Sequence, residues 1–407
     1  MKQYGLLGEK LTHSFSPLIH ASLGDYAYKL YEVAPENVAA FLNQGDFDGL
    51  NVTIPYKKTV IPFLSGLTDK AKAIGSVNTI TRRPDGALVG DNTDYDGFLY
   101  LLKKVVKTAA GKKTLVLGSG GSSLAVRAVL TDDKAAAVVT VSRGGADNYD
   151  NLSGHADAAL LVNTTPVGMY PYNGASPVDL GLLPNLEAVI DIIYNPAKTS
   201  LMLDAAARGM PCIGGLPMLV AQAKRAAELF TGRPIDDGVI DEITENIAGT
   251  TRNIVLIGMP GSGKSTTGKA LARAINRPFV DTDELIATRA GKSIPAIFSQ
   301  LGESSFRRLE TDILRDVSKE SGTVIATGGG IVKSPENLQL IQQNSVCVFL
   351  DRALTDLPVS GRPLSQQLGV SALAEERLPL YSSWCDHRIT VTSVDETVAS
   401  IRAATGI

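Results

Sequence analysis

The sequence has few of the features that mark secreted, membrane or nucleic-acid-binding proteins. Its 407 residues include only three cysteines, Cys212, Cys347 and Cys385, and no C-x-x-C pair, so the spacing supports neither a disulfide framework nor a zinc site. No apolar run approaches the roughly 18 residues that a membrane span needs, and the N-terminal stretch has the pattern of neither a signal nor a transit peptide. The formal net charge is −3, whereas a general nucleic-acid or membrane-surface binder would carry a basic stripe. We therefore expect a cytoplasmic protein with no nucleic-acid or membrane partner.

Aromatic residues are also scarce, at 6%, whereas glycine is frequent, with 39 residues that follow no regular period. Short β-rich runs alternate with helical runs along the chain, and this alternation predicts an α/β fold with mostly parallel sheets. The length predicts two or three domains. We predict strands near 3–8, 29–33, 49–53 and 76–80 and helices at 216–231 and about 235–248. The small polar stretch AGTTRN then predicts a short linker and the main boundary near residue 250.

A phosphate-binding loop follows a predicted strand in the C-terminal half. Residues 258–265, GMPGSGKS, match the pattern G-x4-G-K-[S/T] between an apolar strand and an Ala-rich helix. In such a loop the backbone N–H groups hold phosphate oxygens, the lysine reaches the β- and γ-phosphates, and the serine ligates Mg²⁺. The loop therefore predicts a nucleoside triphosphate and Mg²⁺ as ligands. The predicted ATP-binding residues are Gly261, Ser262, Gly263, Lys264, Ser265 and Thr266.

Carboxylates, arginines and glycines follow this loop in positions that suit a second substrate. Asp281 and Asp283 end the predicted strand PFVDTD, and strand alternation would put both on one face beside the phosphate loop. One would hold the Mg²⁺ shell and the other would meet a hydroxyl acceptor; the alternative for Asp283 is a helix N-cap. Arg307 and Arg308 lie on a predicted helix, for which a solvated face is the alternative. Glycines 328–330 follow an apolar strand, which suggests backbone close to a ligand.

Residues 251–407 resemble shikimate kinases, because GSGKST, DTD, FRRLE, TGGG, RPL and ERLPLY occur in the order and at the spacing of that family. The resemblance implies a P-loop domain that phosphorylates the 3-hydroxyl of shikimate with ATP, with Lys264 on the phosphates. It implies that Asp281 acts on Mg²⁺ through water and that Asp283 orients or deprotonates the hydroxyl. Arg362 would be the lid arginine that stabilises the transferring phosphoryl group. The implied shikimate-binding residues are Asp283, Arg307, Gly329 and Arg377. The run DLPVSGRPL has no arginine before Arg362, so we expect a shortened lid and weaker ATP binding than in the family.

A second glycine loop opens a predicted βαβ unit in the N-terminal half. Gly118, Gly120 and Gly121 follow the strand TLVLG, and the next strand ends in Ser142 and Arg143. An NAD enzyme carries a carboxylate at that strand end, whereas an arginine there would pair with a 2′-phosphate. NADPH is therefore favoured over NADH; the alternative is a surface arginine. No second basic residue follows nearby, which predicts a weaker NADP preference, and residues 143–157 are too few for the expected helix.

Residues 1 to about 248 resemble shikimate dehydrogenases, because HSFSP, NVTIPYK, VNT, GDNTD, VNTTPVGM and GLPMLVAQA stand in that family's order. The resemblance implies a substrate lobe over 1–105 plus about 232–250 and a Rossmann NADP lobe over 106–231. It implies reduction of 3-dehydroshikimate by NADPH, with Lys57 and Asp94 as the catalytic pair and Lys57 as the proton donor. Met218 would lie against the nicotinamide. The implied substrate-binding residues are Ser14, Ser16, Asn51, Thr53, Asn78, Asp94, Tyr194 and Gln222.

The two resemblances together predict a bifunctional enzyme of aromatic amino-acid biosynthesis that reduces 3-dehydroshikimate to shikimate and then phosphorylates shikimate. Two alternatives stay open at this point: one half could be a non-catalytic binding module, and the dehydrogenase half could act on quinate. The sequence leaves the oligomeric state open, with a monomer among the possibilities. It also leaves open whether shikimate is handed between the sites, with free diffusion as the default.

Overall fold

The computed structural model describes residues 2–11, 14–357 and 369–407, and the chain divides into two compact units. The first unit consists of Met1–Met169, Ala175–Tyr194 and Asp204–Asn246. The second consists of Tyr170–Gly174, Asn195–Leu203 and Ile247–Ile407. Three sheets account for the described strands, two in the first unit and one in the second. Among the described residues, no helix combines the length and the apolar character that crossing a membrane requires.

The first unit begins with a mixed six-stranded sheet in the order β2-β1-β3-β5-β6-β4. Its strands are β1 Gln3–Gly8, β2 Ala27–Glu32, β3 Gly49–Val52, β4 Gly66–Leu67, β5 Thr79–Arg82 and β6 Leu88–Asp91, and its helices are α1 Ser16–Leu23, α2 Val38–Gln44 and α3 Asp69–Ile74. β1 runs parallel to β2 and β3, whereas β5 runs antiparallel to β3 and β6. Leu7, Leu50 and Ile80 are fully buried in the core that this sheet forms. The four predicted strands therefore all form, each within three residues of its predicted start.

A second, parallel sheet follows in the same unit, in the order β11-β10-β9-β7-β8. Its strands are β7 Lys113–Leu117, β8 Ala137–Val141, β9 Leu160–Asn163, β10 Ala188–Asp191 and β11 Cys212–Ile213, and the helices are α4 Asp94–Val106, α5 Gly121–Asp132 and α6 Ser200–Ala207. The first four residues of α6 belong to the second unit. The predicted βαβ unit is thus β7-α5-β8. Between β8 and β9 the structure has only one 3-10 turn, Leu152–His155, which confirms the missing helix.

Helix α7, Leu216–Thr231, packs against the first sheet although it follows the second sheet in the chain. The Phe230 ring stacks on Tyr4 with ring centroids 4.5 Å apart, and the Tyr4 hydroxyl donates to the Phe230 carbonyl at 2.6 Å. The C-terminal end of α7 thus completes the core beside β1, where Ala226 and Phe230 cluster with Tyr4. The predicted lobe boundary at residue 231 stays a prediction, since Met218 near the start of the same helix packs in the core of the second sheet.

Helix α8, Gly238–Thr251, extends through most of the predicted linker, and β12 begins two residues later, at Asn253. The hydroxyls of Thr250 and Thr251 donate to the Ile247 carbonyl at 3.0 and 2.7 Å, so these small polar residues continue the helix instead of ending it. The division between the two units falls after Asn246, inside α8. The boundary near residue 250 remains a proposal.

The second unit contains a parallel five-stranded sheet in the order β13-β14-β12-β15-β16. Its strands are β12 Asn253–Ile257, β13 Phe279–Asp281, β14 Val324–Ala326, β15 Ser345–Asp351 and β16 His387–Thr390, and its helices are α9 Lys264–Ala274, α10 Thr282–Ala290, α11 Ile294–Val317, α12 Glu336–Asn344, α13 Val370–Trp384 and α14 Val394–Thr405. Alternate residues of β12 point into two different cores. Val255 and Ile257 lie in one core, and Ile254 and Leu256 lie in the other. A central strand buried on both faces explains its uninterrupted apolar run.

Candidate active sites

The carboxyl end of β3 and the start of α4 bring Lys57 and Asp94 together. The Lys57 Nζ lies 2.6 Å from Asp94 Oδ2, and the two side chains are 14% and 8% exposed. Asn78 Nδ2 donates to the other Asp94 oxygen at 2.9 Å. The sequence-predicted pair is therefore an ion pair with low solvent exposure, and its carboxylate is oriented by a neighbouring amide.

Gln222 on α7 reaches the same cluster from 144 residues further along the chain. Its Oε1 is 3.4 Å from both Asn78 Nδ2 and Thr93 Oγ1. The backbone N–H of Thr93 donates to Asn78 Oδ1 at 2.6 Å. Asn78 is 2% exposed and Gln222 is 9% exposed, so the packing of α7 on the first sheet decides which polar groups face the Lys57–Asp94 pair.

The other predicted substrate residues have less connected surroundings. Asn51 Nδ2 donates to Thr79 Oγ1 at 3.3 Å, and Thr79 donates to Asn78 Oδ1 at 3.1 Å, which joins Asn51 to the cluster. The Ser16 N–H donates to the Ser14 hydroxyl oxygen at 3.2 Å. The Thr53 N–H donates to the Leu7 carbonyl, and the Tyr194 ring lies 5.6 Å from the Phe15 ring. Within the described part of the chain, no side-chain hydrogen bond joins Thr53 or Tyr194 to the Asn78 cluster.

A cleft of about 1120 Å³ adjoins the Lys57 side chain. Its lining comprises Ile54, Pro55, Lys57, Lys58, Gly118, Ser119, Gly120, Gly121, Ser122, Ser142, Arg143, Gly144, Tyr149, Thr164, Thr165, Pro166, Val167, Ser176 and Pro177. Helix α5 begins at Gly121, so its first N–H groups and the positive end of its dipole meet the cleft, which suits a pyrophosphate. Arg143 is exposed at the end of β8. These residues fit a phosphorylated dinucleotide.

The structure places Met218 in a core cluster. It is 6% exposed and packs in a core cluster with Phe98, Leu101 and Val162, and it is not among the described residues that line the cleft. Contact between Met218 and a nicotinamide therefore stays a prediction, because α7 turns this side chain into the core of the second sheet.

The phosphate loop lies between β12 and α9, as predicted. Lys264 Nζ donates to the carbonyls of Gly258 and Met259 at 2.9 and 3.0 Å, which folds the lysine back over the loop. Gly263 caps α9 with φ of 94°, a left-handed conformation that side-chain-bearing residues rarely adopt. The Ser262 hydroxyl is buried without a hydrogen-bond partner in the described structure. A glycine loop with a lysine folded over it and an unsatisfied buried hydroxyl fits a nucleoside triphosphate.

Asp281, rather than Asp283, is the residue that caps α10. Its Oδ1 accepts from the N–H groups of Asp283 and Glu284 at 3.0 and 3.4 Å, and its Oδ2 accepts from the Ser265 hydroxyl. The strand ends at Asp281 and the helix begins at Thr282. Asp283 therefore lies in the first turn of α10, and the prediction that strand alternation positions it beside Asp281 is wrong. Ser265 and Asp281 in contact offer the oxygen ligands that Mg²⁺ prefers.

A buried charged cluster faces Asp283. Arg307 Nη1 donates to Glu310 Oε2 at 2.6 Å, and Arg377, 1% exposed, donates to the Gly329 carbonyl at 3.1 Å. A Cβ on Gly328 would lie 2.7 Å from Asp283 Oδ1 and 2.8 Å from Glu310 Oε1. Those two oxygens and Arg377 Nη2 are buried without hydrogen-bond partners in the described structure. Unsatisfied polar atoms of both signs converging on one place indicate a polar ligand site.

Electrostatics in this cluster follow from burial. Burial and the nearby Asp281 raise the pKa of Asp283 above its ordinary value, although Lys264 and Arg307 oppose the rise. The pKa of Glu310 is also raised, first by burial and further by Asp283, with Arg307 opposing. A carboxylate whose pKa is raised in this way is a stronger base than an exposed one, which is a property of catalytic positions.

The three-glycine turn has a steric reason. A Cβ on Gly330 would overlap the Arg307 guanidinium, and a Cβ on Gly329 would lie 2.7 Å from the Pro260 ring. The small glycine thus leaves room for the Arg307 guanidinium at the site. Its neighbour Arg308 is exposed, as the alternative interpretation of a solvated helix face predicted. Arg362, predicted as the lid arginine, lies outside the described residues.

The comparisons with known proteins agree with this division into two sites. The family model for the shikimate dehydrogenase substrate binding domain matches residues 6–80. A shikimate dehydrogenase (NADP(+)) from Clostridium beijerinckii is 38% identical over 257 residues, which are 58% of this chain and 94% of that protein.

The chain belongs to the shikimate dehydrogenase family. It also carries a shikimate kinase domain, since the shikimate kinase family model matches residues 260–404. Among solved structures, a chorismate mutase/shikimate 5-dehydrogenase fusion protein from Clostridium acetobutylicum is 36% identical, with a TM-score of 0.57, over 60% of this chain and 97% of that chain. Shikimate 5-dehydrogenase from Thermus thermophilus, solved in complex with NADP(H) and shikimate, is 31% identical, with a TM-score of 0.55. The match covers 60% of this chain and 99% of that chain.

Some residues of this shikimate dehydrogenase–kinase chain were not predicted as site residues. Glu310 pairs with Arg307, and the spacing of three residues on one helix is a signal that could have indicated it. The Tyr381 hydroxyl donates to the Gly329 carbonyl, and Thr79 and Thr93 connect the polar residues around Asp94. All three residues lie within motifs quoted above, Thr79 in VNT, Thr93 in GDNTD and Tyr381 in ERLPLY, but their contacts appear only in the folded structure.

Proposed function

We propose that this chain is a bifunctional shikimate-pathway enzyme, which reduces 3-dehydroshikimate to shikimate with NADPH and phosphorylates shikimate to shikimate 3-phosphate with ATP. The observation that carries the proposal is that both halves keep a complete set of charged groups. The Lys57–Asp94 pair borders the dinucleotide cleft, and Lys264 and Asp283 flank the phosphate loop. A non-catalytic binding module would not need either set.

In the dehydrogenase half, Lys57 is proposed as the general acid. NADPH, when bound in the cleft, supplies the hydride that reduces the C3 carbonyl. Lys57 donates a proton to the carbonyl oxygen as negative charge develops there, and takes it back in the reverse direction. Asp94 holds the ammonium in place at 2.6 Å. The proposed substrate residues are Ser14, Ser16, Asn51, Thr53, Asn78, Asp94, Tyr194 and Gln222.

The proposed cofactor residues of this half are Gly118, Gly120, Gly121, Ser142 and Arg143, with Met218 retained as a prediction. Arg143 would pair with the 2′-phosphate of NADP, as its position at the end of β8 allows. Residues 1–250 are proposed as the dehydrogenase and residues 251–407 as the kinase. A cytoplasmic location is proposed because all three cysteines are free thiols.

In the kinase half, Asp283 is proposed to accept the proton of the attacking 3-hydroxyl. Its raised pKa suits that role. Arg307 and Arg377 supply guanidinium forks for the shikimate carboxylate, with Gly329 beside Arg377. Lys264 and residues 261–266 hold the ATP phosphates, and Ser265 and Asp281 would hold Mg²⁺, which when bound neutralises phosphate charge. Arg362 is proposed to stabilise the transferring phosphoryl group.

The test is a coupled assay of the intact chain. With 3-dehydroshikimate, NADPH and MgATP together, we expect NADPH absorbance to fall and shikimate 3-phosphate to accumulate, measured by mass spectrometry. Omitting MgATP should leave NADPH oxidation but stop the reaction at shikimate. NADPH oxidation without any phosphorylated product, even when shikimate is added directly, would reduce the proposal to the dehydrogenase alone.

A second arm separates shikimate from quinate. Oxidation of each acid is measured with NADP⁺ and with NAD⁺, and we expect the highest kcat/KM for shikimate with NADP⁺. A higher kcat/KM for quinate with NAD⁺ would assign the N-terminal half to quinate oxidation instead.

A further inference from the structure

Tyr28 lies on β2, the edge strand of the first sheet, away from every motif that the sequence singles out. Its hydroxyl donates to Asn51 Oδ1 at 2.8 Å, and the side chain of Ser16 is a second hydrogen-bond neighbour. Asn51 and Ser16 are both proposed substrate residues. Burial raises the pKa of Tyr28 well above its ordinary value, so the hydroxyl keeps its proton and remains a donor. One hydroxyl therefore contacts two groups of the proposed substrate site.

The hydrogen bonds from Asp94 to Tyr28 form a chain with one direction. The Asp94 carboxylate can only accept, so the Asn78 amide group that faces it at 2.9 Å is Nδ2, and Asn78 Oδ1 faces away. The Thr79 hydroxyl donates its proton to that oxygen at 3.1 Å or to Thr93 Oγ1 at 3.0 Å, and Thr93 Oγ1 in turn donates to Asn78 Oδ1. The oxygen of Thr79 then accepts from Asn51 Nδ2 at 3.3 Å.

This direction fixes the amide of Asn51. With Nδ2 committed towards Thr79, Oδ1 faces the other side, where the Tyr28 hydroxyl donates to it at 2.8 Å and the His20 side chain is a second hydrogen-bond neighbour. A rotation of the Asn51 amide by 180° would place Oδ1 next to the Thr79 hydroxyl oxygen. That contact would join two acceptors, because the Thr79 proton is already donated to another group. Tyr28 thus ends the chain that begins at Asp94, and it holds the remaining hydrogen of Asn51 Nδ2 in one orientation.

The ring of Tyr28 is itself held in place. It stacks on the His20 ring with centroids 3.9 Å apart and planes 11° apart, and His20 Nδ1 is 2.8 Å from the Tyr26 hydroxyl. Burial lowers the pKa of His20 to about 3, with Asn51 opposing, so the stack is between two neutral rings at working pH. The ring stays in the same plane when the hydroxyl is removed, because the stacking does not involve it.

We propose that Tyr28 is a positioning residue of the dehydrogenase, which fixes the donor–acceptor orientation of the Asn51 amide towards a substrate hydroxyl or carboxylate. The inference rests on the proposed dehydrogenase function and adds a residue to that site. Tyr28 acts through Asn51 and not on the reacting carbonyl, so it affects the binding of the substrate more than the chemical step.

The test compares two tyrosines of one strand. Tyr28→Phe removes the hydroxyl and keeps the ring on His20, while the control Tyr31→Phe removes a buried hydroxyl that has no hydrogen-bond partner in the described structure. For Tyr28→Phe we expect the KM for shikimate to rise about three- to tenfold, the effect of one lost hydrogen bond, with kcat within about twofold. For Tyr31→Phe we expect less than a twofold change in either constant.

A double-mutant cycle supplies a readout that a structural role would not move. In an Asn51→Ala background, Tyr28→Phe should raise KM no further, because its target amide is gone. With an active parent enzyme, three results would overturn the inference. The KM increases of Tyr28→Phe and Asn51→Ala could be additive, the two tyrosine variants could raise KM equally, or Tyr28→Phe could leave KM unchanged. A parent chain without NADP-linked shikimate oxidation would instead overturn the proposed function, and the inference with it. Thermal melting and kinase activity of each variant verify folding.

Discussion

Lys57→Ala gives the sharpest test of the dehydrogenase site, because two separate costs can be worked from its surroundings. The substitution removes an ammonium that lies 2.6 Å from Asp94 Oδ2. A positioned general acid contributes about 10²–10⁴-fold to the rate, which corresponds to about 2.7–5.4 kcal/mol at 1.36 kcal/mol for each factor of ten. We therefore expect kcat for NADP-linked shikimate oxidation to fall by about two to four orders of magnitude.

The cost to folding is smaller. Breaking a fully buried ion pair costs about 3–5 kcal/mol, but Lys57 is 14% exposed and lines an open cleft. Water can enter the space that the side chain leaves, and Asp94 keeps its hydrogen bond from Asn78 at 2.9 Å. We expect a loss of about 1–3 kcal/mol in the free energy of unfolding of the first unit, in the range for one unsatisfied polar group.

Steady-state kinetics of both activities and a thermal melt check these expectations. Lys58→Ala is the matched control, because Lys58 is an exposed lysine that lines the same cleft one residue away; its kcat should change less than threefold. The kinase activity of Lys57→Ala, assayed with added shikimate, should equal that of the parent. A variant that keeps more than about a tenth of the parental dehydrogenase kcat would refute the role of Lys57, and equal losses in both activities with an intact melt would refute two independent sites.

Three further predictions concern the cofactor and kinase sites. Arg143→Asp should shift the ratio of kcat/KM values from NADPH towards NADH, since it replaces a phosphate partner with a ribose partner; an unchanged ratio would make Arg143 a surface residue. Lys264→Ala should abolish phosphorylation, measured by coupled ADP release, and leave NADPH oxidation intact; near-normal phosphorylation would contradict the phosphate-loop assignment. Asp283→Asn should abolish kinase turnover yet raise the Tm at neutral pH. The raised pKa of Asp283 means that folding disfavours its ionised form, which lowers the free energy of unfolding. This loss is fully present at a pH above the pKa of Asp283 in the folded state, and it is absent at a pH below the pKa in the unfolded state. The gain in Tm should therefore fade as the pH falls through that range, and a Tm at or below that of the parent at neutral pH would contradict it.

Short-range signals in the sequence determined the elements and the loops that bind phosphate. Helix α7 forms at the predicted residues, 216–231, because its apolar period, its opening Leu-Pro pair and the following glycine are all local. The two glycine loops follow β7 and β12 as predicted, since a strand, a loop and a helix in succession need no distant partner. The motifs also predicted the Lys57–Asp94 pair, although only through resemblance to a family.

Tertiary packing decided what the local signals left open. The strand alternation predicted for Asp283 failed because the carboxylate of Asp281 caps α10 and starts the helix one residue after the strand. Phe230 packs on Tyr4, 226 residues away in the chain, and no window of sequence contains both.

The same reason applies to the polar contacts of the sites. Gln222 meets Asn78 across 144 residues, and Arg377 meets Gly329 across 48. The burial that raises the pKa values of Asp283 and Glu310 depends on elements that converge only in the folded unit. The sequence by itself determined which chemical groups the chain carries and where each strand and helix places them locally. Only the tertiary structure decided which of those groups touch and how dry their surroundings are, because hydrogen bonds and desolvation act over ångströms in space and not over positions in the chain.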